Sequence, residues 1–451
     1  MFDCQSELEV PKRRVRMNRE PVSALPTIPA IAIDVAPISF VDRTLSNGLR
    51  TILVVNRRVP SVAINVAYRV GGKDDPPGRS GFAHLFEHLM FKGTSRTAPE
   101  TIDRLTEDVG GFNNAFTSED MTNYYEVVPS NHLERLLWAE ADRLASLDVN
   151  AANFATERDV VIGEYDQRIL AEPYGMLDEL VNREAYAVHP YRRGVIGSPD
   201  ELNAAALDDV VAFHATYYRP DNAILVVAGD FDTGEAARWI DAYFGTIPTP
   251  APAIPRVGAV EPEQTAERTF EYRAANVPLP AAEEAYHIPG AAHPDAAALD
   301  VLETVLGAGR SSRLYTSLVY DKQVATNASA AADLREHPGL FGLRVTCARG
   351  VALADARAAL AAEIERVRAE PPDEAELIRA RTQIASSVVR SRQTNSGVAL
   401  MLAQATAERG DPGLVNDDLA RYLAVTGDDV LRVARTYLRP ENRTVIEYLP
   451  L

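Results

Sequence analysis

A six-residue pattern occurs twice in this 451-residue chain and constrains its fold more strongly than any other feature. Tyr217–Asn222 (YYRPDN) recurs as Tyr437–Asn442 (YLRPEN), an offset of 220 residues (437 − 217). Each copy lies between a predicted helix and a β-rich run, and the offset is about the size of one α+β domain. The repeat therefore predicts an α+β protein built from two duplicated sandwich domains.

Composition divides the chain into four segments. Residues 1–37 are expected to be a disordered tail, 38–246 the first domain, 247–268 a stiff linker and 269–451 the second domain. The linker prediction rests on a run of prolines: Pro248, Pro250, Pro252, Pro255 and Pro262. The tail holds a basic arm of Lys12, Arg13, Arg14, Arg16 and Arg19, and Met17 is an alternative start.

The overall charge argues against two broad classes of partner. A net charge of −18 disfavours general binding to nucleic acid or to an anionic membrane.

No apolar run is long enough for a transmembrane helix, and the N-terminal prolines do not fit a signal peptide. We therefore expect a cytoplasmic protein rather than a periplasmic or secreted one. The two cysteines, Cys4 and Cys347, indicate neither a disulfide framework nor a cysteine-based metal site.

The most informative local motif is His84-Leu85-Phe86-Glu87-His88, which places two imidazoles and a carboxylate on one helix face. His84 and His88 are one helical turn apart, so both side chains can reach a single Zn²⁺. Glu87 lies beside the second imidazole and can act on a metal-bound water as a general base. Ser80 is the predicted N-cap of the helix. This order of residues is the inverzincin signature.

Periodicity and turn signals predict further elements around this motif. They are a β-hairpin of Thr51–Val55 and Ser61–Val70, a strand at Thr122–Pro129, and amphipathic helices at Asn131–Leu147 and Phe154–Leu170. In the second domain the counterpart of the histidine helix falls near Asp295–Leu306, which contains no histidine. Only the first domain is therefore expected to bind a metal.

A catalytic zinc site usually has three protein ligands, so a third is needed. Glu157 and Glu164 are seven residues apart on one predicted helix, which places them on the same face but about 10.5 Å apart along the axis. They cannot both easily bind one ion. One is expected to be the ligand and the other an outer partner that orients an imidazole, and the spacing leaves open which is which.

Two segments resemble the pitrilysin and mitochondrial-processing-peptidase family of zinc metallopeptidases. They are Gly81–Thr94, which contains the histidine motif, and Glu157–Glu164 (ERDVVIGE). The resemblance implies one Zn²⁺ per chain, with Glu164 as the third ligand and Glu157 as the outer catalytic carboxylate. It also implies a zinc-dependent endopeptidase in which the two domains form half of a clam-shell chamber.

The segment Asn114–Tyr124 also resembles this family, in which it is an edge strand that pairs with the peptide substrate by β-augmentation. The resemblance implies that Asn114, Ala115, Phe116 and Thr117 bind substrate. The alternative reading of these residues is an ordinary turn that leads into a strand.

The second domain departs from the family pattern. In the family an arginine and a tyrosine that contact the substrate follow a Ser-Ser-Arg-Leu run, which here is Ser311–Leu314. The corresponding positions hold Val319 and Thr326, and the nearby polar residues Tyr315, Tyr320 and Lys322 are out of register. The chain thus resembles the zinc-bearing member of a two-subunit bacterial peptidase. We expect a homologous partner to supply the missing pair, as a heterodimer, with a homodimer as the alternative.

Peptides or unfolded polypeptide segments are the expected substrates. Two other functions are open to such a sequence. One is a processing peptidase dedicated to a single precursor, and the other is a non-catalytic scaffold or core subunit, as in some relatives in respiratory complexes. Those relatives often lack the metal residues, whereas all of them are present in this chain.

Overall fold

Two mixed β-sheets organise residues 35–451, which are the residues that the computed structural model describes. The predicted tail, its basic arm and Met17 lie outside the described residues, apart from 35–37. We call residues 35–243 the first half and residues 268–451 the second half. The domain boundaries drawn from the sequence stay a prediction.

The first half contains six strands and eight α-helices among the described residues. The strands are β1 (Val41–Thr44), β2 (Arg50–Val55), β3 (Ser61–Tyr68), β4 (Phe112–Thr117), β5 (Thr122–Pro129) and β6 (Ala223–Gly229). The helices are α1 (Phe82–Leu89), α2 (Thr101–Glu107), α3 (Leu133–Ser146), α4 (Ala151–Tyr165), α5 (Gly175–Ala185), α6 (Pro199–Asn203), α7 (Leu207–Tyr217) and α8 (Thr233–Tyr243).

The second half contains five strands and six α-helices. The strands are β7 (Arg268–Ala274), β8 (Ala281–Ile288), β9 (Ala325–Asp333), β10 (Gly339–Cys347) and β11 (Arg443–Pro450). The helices are α9 (Ala296–Gly307), α10 (Leu353–Ala369), α11 (Glu374–Ser391), α12 (Asn395–Arg409), α13 (Asp418–Ala424) and α14 (Gly427–Tyr437).

The two sheets have the same strand order, which confirms the predicted duplication. The first runs β1-β2-β6-β3-β5-β4 and the second β7-β11-β8-β10-β9, so the second lacks only a counterpart of β1. In each sheet one pair is parallel, β2 with β6 and β7 with β11, and the other pairs are antiparallel.

The repeated six-residue pattern has the same structural role in both halves. It forms a 3₁₀ turn that joins α7 to β6 and α14 to β11. In each copy the asparagine amide closes the turn, since Asn222 donates to Tyr217 O and Asn442 to Tyr437 O, both at 2.8 Å. The repeat is thus a helix-to-strand connection that the asparagine side chain closes in both halves.

The predicted hairpin of the first two long strands is wrong. β6 lies between β2 and β3, parallel to the first and antiparallel to the second. Every residue of β6 is buried. A central position, with a neighbouring strand on each side, buries the most apolar surface of this strand. The connection at residues 56–60 therefore crosses one strand, whereas a hairpin loop joins two adjacent strands.

Each half also contributes a helix to the core of the other. The face of the first sheet opposite α1 is covered by α12, whose Leu402 and Ala403 pack with Ile52 and Val226. The second sheet is covered in the same way by α5 from the first half, through an apolar cluster that includes Leu177. The other face of each sheet packs on helices of its own half.

The proline-rich segment after α8 contains no helix or strand up to β7. Its beginning packs on the first half, where the Arg219 guanidinium donates to the carbonyl oxygens of Pro250 and Pro252. Near its end, Gln264 donates to Arg443 O in the second half at 2.7 Å. Among the described residues, no helix has both the length and the apolar character that a membrane span requires.

Candidate metal centre

Helix α1 carries the histidine motif and is held at its N-terminus by Asp75. The Asp75 carboxylate accepts the N–H of Gly81 at 2.7 Å and of Ala83 at 2.9 Å, which satisfies two donors that have no partner within the helix. The predicted cap, Ser80, is wrong, because its hydroxyl instead accepts the N–H of Ser198. Burial raises the pKa of Asp75 to about 7, against the effect of the N–H donors.

Helix α4 brings the two predicted carboxylates to α1. Its N-terminus is capped by the Asn150 side chain, which accepts two backbone N–H groups. Glu157, Val161 and Glu164 lie on one stripe of α4, and Val161 is fully buried in the core between the sheet and the helices. The apolar residue thus anchors the stripe that directs both carboxylates toward the histidines.

The side chains of His84, His88 and Glu164 converge on one point. Glu164 Oε2 lies 3.3 Å from His88 Nε2 and 3.7 Å from His84 Nε2. One ligand atom from each residue lies within 4.8 Å of the others. Two ligands that each lie about 2.1 Å from one ion in tetrahedral geometry are about 3.4 Å apart. The three residues are therefore spaced as a metal would require.

The chemistry of the donor set fits a metal as well as its spacing does. Burial, together with the charges of His88 and Arg168, lowers the pKa of His84 to about 3, so its imidazole is neutral and keeps a lone pair. Metal binding needs neutral imidazoles and ionised carboxylates. Nδ1 of His84 is buried without a hydrogen-bond partner among the described residues.

Glu157 lies on the opposite side of the His88 ring from Glu164. Its Oε2 is 3.5 Å from His88 Nδ1, and its Oε1 is 3.1 Å from Lys92 Nζ. Burial raises the pKa of Glu157, but the hydrogen bonds with His88 and Lys92 outweigh it and the net shift is downward. For His88 burial lowers the pKa, and the carboxylates of Glu157, Glu164 and Glu87 outweigh it, so the net shift is upward. Glu157 is thus placed to orient the ring.

Glu87, the predicted general base, is half-buried beside the second histidine. Thr117 Oγ1 donates to Glu87 Oε2 at 2.6 Å. Burial raises the pKa of Glu87, and the Thr117 hydrogen bond opposes part of that rise. The Glu87 side chain is thereby tied to the end of β4.

The four residues predicted to bind substrate lie on β4, the edge strand of the first sheet. Of these four residues, Thr117 is hydrogen-bonded to Glu87. The Asn114 side chain accepts the N–H of Ala115, and Phe116 packs toward α12 on the other face of the sheet. The outer edge of β4 has no paired strand among the described residues.

Three contacts around the site were not predicted from the sequence. Lys92 lies in the turn after α1, four residues beyond His88, and this closeness in sequence is the only signal for its position near Glu157. Arg168 is four residues after Glu164 and lies 2.8 Å from its Oε1, on the side away from the histidines. The Thr117–Glu87 contact joins residues 30 positions apart, and no local pattern indicates it.

The two positions that depart from the family pattern lie in the second half. Val319 is partly buried and packs against the core of that half. Thr326 is the second residue of β9, and its hydroxyl donates to Thr346 O at 3.3 Å. The out-of-register residue Lys322 bonds to Ser317 Oγ at 2.9 Å. Neither Val319 nor Thr326 offers a cation or a phenol.

Comparison with known proteins gives matches over most of the chain. Residues 50–198 match the family described as Insulinase (Peptidase family M16), and residues 205–384 match Peptidase M16 inactive domain. Zinc protease PqqE of Helicobacter pylori is 29% identical over 409 residues, covering 90% of this chain and 92% of that protein. The Arabidopsis thaliana protein named "Probable mitochondrial-processing peptidase subunit beta" is 27% identical over 422 residues, covering 90% and 78%. The crystal structure of a protease from Helicobacter pylori superposes with a TM-score of 0.89 at 28% identity, covering 92% of this chain and 100% of that one.

Proposed function

The chain belongs to the M16 family of zinc metallopeptidases, and from this premise we propose that it is an endopeptidase that hydrolyses peptides or unfolded polypeptide segments. The observation that carries the proposal is the convergence of His84, His88 and Glu164 beside Glu87. One Zn²⁺ per chain would be held by the two Nε2 atoms and Glu164 Oε2.

The proposed mechanism assigns a separate role to each side chain. Zinc, when bound, lowers the pKa of a coordinated water toward about 7 and polarises a peptide carbonyl. Glu87 accepts a proton and returns it to the leaving amine, first as a general base and then as a general acid. Thr117 occupies Oε2 of Glu87, so we assign the proton transfer to Oε1. Glu157 fixes the orientation of the His88 ring through Nδ1.

We propose that the substrate binds as an added strand on the outer edge of β4. An edge strand presents unpaired N–H and C=O groups that a peptide backbone can complete, and residues 114–117 would supply them. A peptide bound in this position would lie beside Thr117, whose hydroxyl donates to Glu87. The Asn114 side chain would release the Ala115 N–H when a peptide takes its place.

We further propose that the active enzyme contains a homologous second subunit, the two chains closing a chamber around the substrate. The support for this is the pair Val319 and Thr326, which cannot supply the arginine and tyrosine expected from family resemblance. Loss of one oxyanion donor costs about 10²–10³ in rate, so the chain alone should be a weak catalyst. A heterodimer is the leading form and a homodimer the alternative.

A test of the catalytic role compares Glu87→Gln with Glu107→Gln, which changes an exposed glutamate on α2. Bound zinc is measured by elemental analysis, and cleavage by a quenched fluorescent peptide. We expect Glu87→Gln to retain zinc and lose cleavage, while Glu107→Gln retains both. Equal cleavage by wild type and Glu87→Gln would refute the assignment of the base.

A second experiment tests the need for a partner. The purified chain is assayed alone and after mixing with a homologous chain that carries the arginine and tyrosine. We expect cleavage of unrelated peptides to rise about a hundredfold on mixing. Full activity of the chain alone would refute the partner hypothesis. Cleavage confined to one precursor would indicate a processing peptidase, and no cleavage in any mixture would indicate a scaffold subunit.

A further inference from the structure

We propose that the second half positions the base Glu87 and helix α1 through a buried ion cluster that joins the two halves. The cluster consists of Lys73, Asp74 and Asp120 from the first half and Glu336 from the second, and we call it the Lys73 cluster. This inference rests on the proposed peptidase function, and it gives the half without a metal motif a role within its own chain.

The Lys73 ammonium is the centre of the cluster. Its Nζ lies 3.2 Å from Asp74 Oδ2, 3.4 Å from Asp120 Oδ1 and 3.3 Å from Glu336 Oε2. It also donates to the carbonyl oxygen of Asp120 at 3.1 Å. The Lys73 side chain is only 3% exposed. A buried cation needs carboxylates close to it, and Glu336 is the one that the second half supplies to this lysine.

Asp120 joins the second half to the turn between β4 and β5. Its Oδ2 accepts the backbone N–H of Glu336 at 2.8 Å, and its Oδ1 accepts the Tyr191 hydroxyl at 2.5 Å. The residues that precede Glu336 and Asp120 are also paired with each other. The Arg335 guanidinium lies 2.9 Å from the Glu119 carboxylate. The loop between β9 and β10 therefore holds the turn at residues 118–121 through two adjacent carboxylates.

This turn leads directly to the catalytic base. Ser118 N–H donates to Met121 O at 2.9 Å and closes the turn. Thr117, the residue immediately before it, donates its hydroxyl to Glu87 at 2.6 Å. A shift of the turn therefore moves the Thr117 hydroxyl, which holds Oε2 of Glu87 in place.

A second path leads from the same turn to the start of α1. The N–H groups of Gly72 and Lys73 donate to the carbonyl oxygens of Ser118 and Glu119, both at 3.0 Å. The approach is so close that a Cβ on Gly71 would lie 2.4 Å from Ser118 O, so this position requires glycine. The same segment continues to Asp75, which caps α1. The Lys73 cluster thus holds both the base and the helix that carries it.

The first experiment compares Glu336→Gln with Glu447→Gln in the full-length, zinc-loaded chain, with the partner present if activity needs it. The two side chains are similarly exposed, at 30% and 24%, and both form ion pairs. Glu336 pairs with Lys73 and also with Arg69, 3.6 Å away, and both of these partners lie in the first half. Glu447, however, pairs with Arg357 inside the second half. The readouts are kcat and KM on a quenched peptide and the zinc content.

We expect Glu336→Gln to lower kcat about tenfold or more with KM and zinc content little changed, because a misplacement of about 1 Å can cost about 10²-fold in rate. Glu447→Gln should leave kcat within about twofold. A kcat for Glu336→Gln equal to that of Glu447→Gln would overturn the proposal. So would parallel losses of kcat and zinc, which indicate a general loss of structure.

Hydrogen–deuterium exchange gives a readout that needs no activity. Glu336→Gln should speed exchange of amides in residues 72–83 and 118–121 relative to wild type, and Glu447→Gln should not. Unchanged exchange in both segments would overturn the positioning role even in an active enzyme. If no chain cleaves any peptide, the proposed function fails, and faster exchange in Glu336→Gln alone would still support the link between the halves.

Discussion

Replacing Asp75 by asparagine should make the stability of the first half less dependent on pH. Asp75 is 4% exposed, and its carboxylate accepts the N–H groups of Gly81 and Ala83 at the start of α1. Burial raises the pKa of this group from its ordinary value of 3.8 to about 7, although the two N–H donors and Arg193 oppose the rise. The folded protein therefore binds a proton at Asp75 more tightly than the unfolded chain does.

The sign and size of the effect follow from that difference in pKa. Below about pH 4 the group is protonated in both states, and its contribution to the free energy of unfolding is fully present. As the pH rises toward 7 the unfolded chain ionises first, so unfolding releases a proton and stability falls. About three pKa units at about 1.4 kcal/mol each give a loss of roughly 4 kcal/mol between about pH 4 and 7.

This effect can be measured by urea unfolding followed by tryptophan fluorescence, because the fluorescent residues lie in the same half as Asp75. The chain has two tryptophans, Trp138 in α3 and Trp239 in α8, and both lie in the first half. Asp75→Asn should be less stable than wild type at pH 5 by about 1–3 kcal/mol, since its amide cannot accept both N–H groups. This difference should shrink or reverse by pH 8. A constant difference from pH 5 to 8, equal to that of the exposed Asp108→Asn control, would refute the reasoning.

Three further changes test other contacts of the site. Lys92→Met removes the cation on Glu157 and should weaken zinc binding about tenfold in competition with a chromophoric chelator; an unchanged affinity would contradict the role of this pair. Thr117→Val removes a hydrogen bond that lowers the pKa of Glu87, so the pKa of Glu87 should rise and the acidic limb of the kcat/KM profile should move to higher pH. A shift of that limb to lower pH would contradict this assignment. Gly81→Ala should cost more than about 2 kcal/mol in urea unfolding, because φ is 90° and a Cβ would lie 2.4 Å from a backbone oxygen; a neutral substitution would show that the helix start can rearrange.

The parts of the site that the sequence predicted are those governed by local periodicity. His84 and His88 share a face because they are one helical turn apart, and the structure brings them together as that spacing requires. The spacing of Glu157 and Glu164 left their roles open. The structure separates them by position, with Glu164 at the two Nε2 atoms and Glu157 at Nδ1 of His88.

The parts that the sequence did not predict depend on contacts between distant segments. The hairpin prediction failed because the apolar strand β6, more than 150 residues later, takes the place between β2 and β3. The predicted cap Ser80 was plausible from its position next to the helix, but a buried aspartate five residues earlier makes the hydrogen bonds. The Lys73 cluster draws on both halves, and no spacing along the chain indicates it.

The exchange of helices between the halves has a consequence for the origin of the molecule. α5 begins at Gly175 and α12 at Asn395, and these positions differ by the same 220 residues as the repeated turn (395 − 175). Each of these equivalent helices therefore packs on the sheet of the other copy. This is the arrangement of a domain-swapped dimer whose subunits have been fused into one polypeptide. Each copy depends on the other to complete its core. The half without the histidine motif is consequently an obligatory part of the core of the half that carries it.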